Sequence, residues 1–298
     1  MSRARLGQVI AFIGALAILR LGPAWWCGRE ARAWMDGDAA TQAALCEELL
    51  AFEQGDDAQR RGKSHNRFAG EWALVTHQMV ALGLAQVALA HPELRDRYRP
   101  VITRAAEKSL LPEMRDFGTK AWHGEDVLDS LDGSHGHAYM AYPALAVGMA
   151  RLLDPAFPAA LARRHDALID AFERRLLASP TGLIETYPKE AYPTDVAAVA
   201  AAIAVHARAT GRRHDAVLRH WASRVRAVQM DATSGLVIQR MGARDGRPHD
   251  APRGSGTGLA AYFAGFADRA VADLLADGLM RQRASFLGFA AIREYAPG

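Results

Sequence analysis

A chain of 298 residues, half of them apolar and 23% charged, can bury a sizeable core, which excludes an intrinsically disordered polypeptide. The formal net charge is only +3, and the basic residues, mostly Arg, are scattered without interleaved aromatics, which argues against a nucleic-acid surface. The two cysteines, Cys27 and Cys46, lie near the N-terminus, so the body of the chain has neither a disulfide framework nor a cysteine-based zinc site.

Arg3 and Arg5 precede an apolar run over residues 9–19 that is too short to span a bilayer by itself. Arg20 interrupts it, and apolar sequence resumes over 21–27 with Trp25 and Trp26. Residues 1–27 therefore read as a signal peptide or an N-terminal membrane anchor. A small-x-small cleavage site is missing, which favours an uncleaved anchor with Arg20 snorkelling and the Trp pair at the interface. A cleaved signal and a buried first helix are the alternatives. The anchor reading puts the body on the periplasmic, extracytoplasmic side of an inner membrane, with residues 28–40 as a connector and 41–298 as one domain.

Within that domain, apolar and amphipathic helices alternate. A first helix over 41–54 has Thr41 as its expected N-cap and Gly55 as its stop, and a charged loop follows over 56–67. Apolar stretches at 70–90, 138–153, 195–209 and 257–266 are each followed by an amphipathic one, at 93–111, 158–179, 213–230 and 269–283. The residues between them, 112–136, 181–195 and 231–254, read as long polar loops. Short strands are expected only at 183–186 and 236–239. Loops longer than about 12–15 residues are uncommon unless functional or disordered. These contain Trp, Tyr, acids and His, which favours function. A Gly-x-apolar step recurs at Gly182, Gly235 and Gly288, with a constant interval of 53 residues. Equal spacing of loops between helices indicates repeated helical hairpins whose loops share one face.

This alternation gives an all-α fold class, an (α/α) toroid of helical hairpins with short β-hairpins on the loop face. The units opening apolar helices, GHAYMAYP over 136–143, ETYP over 185–188 and RGSGT over 253–257, resemble those of the α/α-toroid, six-hairpin enzymes, and within them the linalool dehydratase/isomerase-like proteins. The resemblance covers roughly residues 68–297. It implies a toroid with a cavity acid/base site. Linalool dehydratase-type chemistry is associated with cavity cysteines, and none follows Cys46 here, so that substrate does not carry over. About five hairpins are countable where a full toroid has six, so either the ring is open or the natural product continues past residue 298; truncation is the favoured expectation.

Four constellations could carry chemistry. Glu185 and Asp195 form the expected acid/base pair, because cleavage at a hydroxyl or glycosidic oxygen needs a proton donor and an opposing base. Tyr187 would add a proton donor and Tyr192 would orient substrate hydroxyls. Asp195 could instead cap the following helix, leaving Glu185 solvated. The second group is Trp122, His123, Glu125, Asp126, Asp129, Asp132, His135 and His137. His-x-His puts both rings on one face only in a strand and this stretch is Gly-rich loop, so no metal is expected. His137 (acid/base) and Tyr142 (substrate) are preferred because they sit where an apolar helix begins, and Trp122 is assigned to substrate binding. Third, Arg253 beside a Gly-rich turn could hold a carboxylate or phosphate. Fourth, Glu294 and Tyr295 would join the same face through the repeat. His77 reads as a satisfied core histidine.

The expected function is acid/base hydrolysis, or elimination and hydration, of a hydroxylated small molecule or glycan. No cofactor and no nucleic-acid partner are expected, and membrane contact is through the N-terminal segment. A non-catalytic envelope ligand-binding or scaffold protein is the alternative.

Overall fold

A computed structural model describes residues 3–55, 67–133, 136–286 and 289–296. The described residues are mostly helical, and the one sheet among them is a two-stranded ribbon, so the fold is all-α. Of the charged loop expected at 56–67, residues 56–66 lie outside the described residues, as do His135 and Gly288, and Arg67 already begins a helix.

Helix α1 (Arg3–Met35) is a single rod that runs on through residues 28–35 of the expected connector. Its apolar side chains, Ile10, Phe12, Ile18, Leu19, Trp25 and Trp26 among them, are exposed. Among the described residues two stretches are long and apolar enough to cross a membrane, Arg5–Met35 and Gly70–Ala90, and of these the second is mostly buried in the protein. A short turn then leads to α2 (Ala39–Gln54). Its N-cap is Asp38 and not Thr41: the Asp38 carboxylate accepts both the backbone N–H of Thr41, at 2.8 Å, and its hydroxyl, at 2.6 Å. Both residue types cap well, and the turn at Gly37 puts Asp38 at the extended position. Gly55 ends the helix as expected.

The body alternates inner and outer helices. The inner ones are α3 (Arg67–Ala90), α6 (Ala141–Leu153), α8 (Pro193–Thr210) and α10 (Gly254–Ala267). They pack in the order α3, α6, α8, α10, and Tyr262 of α10 donates a 2.9 Å hydrogen bond back to Gln86 of α3. The outer ones are α4 (Arg95–Ser109), α7 (Ala159–Ala178), α9 (Asp215–Arg224, continued by a π turn Val225–Gln229) and α11 (Arg269–Arg281). Composition explains the division. Helix α8 is apolar all round and is buried continuously from Pro193 to His206, as a helix enclosed on every side must be. Its outer partners carry an apolar stripe and an exposed charged face, as in α7. His77, on α3, is buried and hydrogen-bonded to Glu53 at 2.9 Å, the satisfied core histidine that was expected.

The stretch expected to be irregular at 112–136 begins with a further helix, α5 (Pro112–Ala121). Pro112 occupies its first turn, where no N–H is needed, and Met114 and Phe117 bury its inner side. Gly118 lets α5 approach: a Cβ there would lie 2.2 Å from Cζ of Tyr139. The ribbon, β1 (Arg283–Phe286) and β2 (Phe289–Ile292), pairs Arg283 with Ile292 at residues read as helix end and loop. The strand piece expected at 183–186 does not form, the nearest pairing being the bridge from Tyr187 to Glu190, and the one expected at 236–239 is single bridges, Met230 to Val237 and Ile238 to Pro252.

The 53-residue interval has a structural basis in the described units. Gly182 and Gly235 both adopt left-handed φ, +67° and +71°. Gln229 donates through Nε2 to the Thr181 and Gly182 carbonyls, and Gln282, 53 positions on, donates to the Ser234 carbonyl. In each unit a polar side chain just past an outer helix thus fastens the preceding loop. Arg175, near the end of α7, does the same one unit earlier. The approach is tight at Gly278 of α11, where a Cβ would sit 2.0 Å from the Gly235 carbonyl oxygen, a backbone atom. Gly278→Ala therefore destabilises the protein by about 2 kcal/mol or more in denaturant unfolding, although alanine favours an isolated helix by about 1 kcal/mol. A gain in stability would contradict the fastening described here.

Candidate functional site

The loops converge on the N-terminal turns of the inner helices. Asp195, in the first turn of α8, is buried, with 7% exposure. The helix is entered at Tyr192 with no side-chain cap, so the Asp195 carboxylate is not spent on capping. It accepts instead from the Tyr142 hydroxyl on Oδ1 and from the Thr186 hydroxyl on Oδ2, both at 2.6 Å. Burial raises its pKa above the ordinary 3.8, and the hydrogen bonds from Thr186 and Tyr142 offset this only in part. The Tyr142 phenol is pushed well up, first by burial, then by the charge and hydrogen bond of Asp195, then by the charge of Glu71.

Tyr142 and Asp195 are 53 residues apart, the repeat interval again. Equivalent positions on successive inner helices stand side by side, so the interval was itself a signal that these two side chains meet. The sequence reading instead paired Asp195 with Glu185. Glu185 is half-buried, and its backbone carbonyl accepts from the Ala138 N–H at 3.0 Å, which holds it beside the His137 segment. Asp195's two side-chain partners are its neighbours Thr186 and Tyr142, and the other carboxylate whose charge reaches Tyr142 is Glu71 of α3. Thr186 and Glu71 were missed because one Thr in a loop and one Glu in the opening turns of a helix carry no pattern of their own.

The second wall is aromatic. Trp122 is buried and donates its indole N–H to the Thr186 carbonyl at 3.0 Å. Its ring lies 4.5 Å from that of His137, and Tyr187 stacks on Tyr139 at 6.2 Å with a 12° tilt. His137 is fully buried, with Nε2 at 3.3 Å from both Ser130 Oγ and Glu125 Oε1. Its backbone is left-handed (φ +63°, ψ +32°), which costs a non-glycine residue about 1–2 kcal/mol. The conformation persists because both neighbours are tied: Arg175 donates to the Gly136 carbonyl at 3.0 Å, and Ala138 donates to Glu185. The rest of that cluster is dispersed. Asp126 is held by Arg115 at 2.5 Å and accepts the Leu128 N–H, and His123, Asp129 and Asp132 are exposed.

Tyr192 is half-buried and donates to Glu190 at 2.9 Å. The 231–254 loop meets this edge through the bridge from Ala191 to Met241, and α10 meets it through the Thr194 hydroxyl, which donates to the Gly256 carbonyl. Arg253, Glu294 and Tyr295 do come together. Arg253 pairs with Asp250 at 2.9 Å and its guanidinium lies 5.7 Å from the Tyr295 ring centre. Glu294, however, is engaged at the start of α10, accepting from the Ser255 N–H and hydroxyl at 2.8 and 2.6 Å. That is the favourable place for a carboxylate at a helix N-terminus.

A cleft of about 520 Å³ opens at the opposite ends of the inner helices, lined by Gln86, Leu89, Met149, Arg208, Tyr262 and Phe266 among others. It has no acid and no histidine in its lining, so it offers room without proton-transfer groups. The groups fit for acid/base chemistry are those around Asp195. No protein-family model matches this chain, and no curated protein matches it either.

Proposed function

We propose that this chain is an acid/base enzyme, a hydrolase or a lyase/hydratase, acting on a hydroxylated small molecule or glycan. The observation that carries the reading is Asp195: a buried carboxyl with a raised pKa, joined to a phenol and a hydroxyl where the loops meet. Such a carboxyl keeps its proton to higher pH than a solvated one and can deliver it to a leaving oxygen. Tyr142 relays or orients that proton. Glu185 and Glu71 are the carboxylates placed to act as base, and His137 and Tyr187 line the approach. In this reading the inner and outer helices are hairpins of an α/α toroid, and α1 anchors the body on the periplasmic side of an inner membrane, helped by its unburied apolar surface.

The test uses the full-length protein in detergent, incubated with a cell-envelope extract and followed by mass spectrometry. A compound consumed by the wild type but retained intact by Asp195→Asn, and turned over more slowly by Glu185→Gln, supports the reading. Equal retention without turnover by all three proteins overturns it. That outcome would favour a non-catalytic envelope binding protein, for which the acid-free cleft is the specific supporting observation.

A further inference from the structure

The far end of α8 carries a second polar centre that the acid/base reading does not use. Asp195 and His206 are eleven residues apart on this helix, about 16 Å. His206 and His214 are buried and hydrogen-bonded to each other, Nδ1 to Nε2, at 2.9 Å. His214 Nδ1 meets Glu173 Oε2 at 2.8 Å, and His206 Nε2 meets Asp166 Oδ1 at 2.9 Å. Arg151 also donates to Asp166 Oδ1, at 2.5 Å, and Arg212 lies 3.6 Å from Glu173.

This row is one proton short. Glu173, His214, His206 and Asp166 make three contacts, but two neutral imidazoles bring only two N–H protons. If His214 donates to Glu173, His206 must donate to His214, and His206 Nε2 then turns a lone pair on the Asp166 carboxylate. With both as acceptors at 2.9 Å, a cation shared between them would satisfy both, beside the Arg151 guanidinium already on Asp166.

An independent observation comes from His165, next to Asp166 on α7. Its ring is fully buried and packs edge-on against His206 at 5.0 Å. It leans toward the Ala144 carbonyl, yet neither ring nitrogen reaches hydrogen-bonding geometry. Gly148 of α6 makes room for the ring, since a Cβ there would lie 3.3 Å from His165 Nε2. One ligand atom each from His165, Asp166 and His206 falls within 4.8 Å of the others. The 2.9 Å between His206 and Asp166 already suits two ligands on one ion at about 2.0–2.1 Å each.

We propose that His165, Asp166 and His206 form a binding site for a zinc-class divalent cation that staples α7 to α8 beside α6. Two imidazoles and a carboxylate are the donor set such an ion takes, with water completing its shell. Asp166 keeps Arg151 on one side, and the His214–Glu173 pair orients His206 from behind, as outer partners of metal-bound histidines do. This departs from the sequence reading, which expected no metal, and it does not rest on the acid/base reading.

The experiment is titration of untagged, chelator-stripped full-length protein with zinc, and with cobalt as a spectroscopic probe. Expected are one tightly held equivalent per chain and the visible ligand-field bands of a tetrahedral cobalt site. His165→Ala and His206→Ala each weaken binding by at least about tenfold. Wild type that binds no stoichiometric zinc overturns the proposal, as does binding that both variants leave unchanged, which would mark an adventitious ion only. Should a variant fail to fold, the wild-type cobalt spectrum decides by itself: a featureless spectrum of hydrated cobalt rejects the site.

Discussion

Asp195→Asn is expected to abolish turnover while leaving a folded protein, with the rate falling by about 10²–10⁴, the share that a positioned acid or base contributes. The same substitution has a diagnostic effect on stability. The folded-state pKa of Asp195 is raised by burial, so the folded protein holds this proton more tightly than the unfolded chain does. The wild type is therefore most favoured below the ordinary carboxyl value of 3.8, and loses that contribution as pH rises through the folded pKa. An amide at 195 does not titrate. Relative to the wild type, Asp195→Asn should gain stability as pH is raised from 4 to 8, by about 2 °C or more in melting temperature. Thermal melts across that range check it. A wild type that gains on the variant with rising pH would mean a carboxyl held below 3.8, suited to an ion pair and not to proton donation.

Arg175→Ala is expected to cost about 3 kcal/mol or more, because the side chain is buried and satisfies several loop carbonyls at once. Its guanidinium donates to Ser130 at 2.8 Å, Gly136 at 3.0 Å, Gly133 at 3.1 Å and Leu131 at 3.3 Å. Burial, with the adjacent Arg174, brings its pKa down to about 10, and Glu125 pulls the other way, so it remains charged at neutral pH. Without it the Gly133 and Gly136 carbonyls lose this donor, while Ser130 keeps the Gly133 N–H and Leu131 keeps Arg174, and the tie on Gly136 that supports the left-handed backbone of His137 is gone. The predicted signature is loss of amide protection over 130–138 beyond the global loss of stability. Hydrogen exchange measures this directly, and unchanged protection there would contradict the role given to Arg175. Arg175→Lys keeps the charge but lacks the planar fork, so it should recover only part of the stability.

These two residues illustrate what could and could not be read from the chain. The inner helices were legible because burial on every side leaves a continuous apolar composition, as over Pro193–His206. The 53-residue interval was legible because Gly182 and Gly235 both take the left-handed turn that favours glycine, and it also underlies the Tyr142–Asp195 contact. Helix α5 was not, because its sequence mixes Pro, Gly and charged residues, and its burial through Met114 and Phe117 is set by tertiary packing. Arg175 read as one of many charges on an amphipathic helix; only the fold turns it inward. The Asp38 cap was a near miss, since two capping residues three positions apart compete and the backbone turn decides. Glu294 drew attention as an acid near the loop face, yet its place at the start of α10 explains it without a ligand.

The most direct measurement is the titration of the Asp195 carboxyl by carbon-13 NMR, with aspartate-labelled wild type read against Asp195→Asn to assign the signal. The account predicts one aspartate resonance, absent from the variant, that titrates clearly above 3.8 and shifts further when Tyr142→Phe removes its hydrogen-bond donor. A resonance titrating at or below 3.8 would contradict it, because a carboxyl ionised throughout the working range cannot be the proton donor.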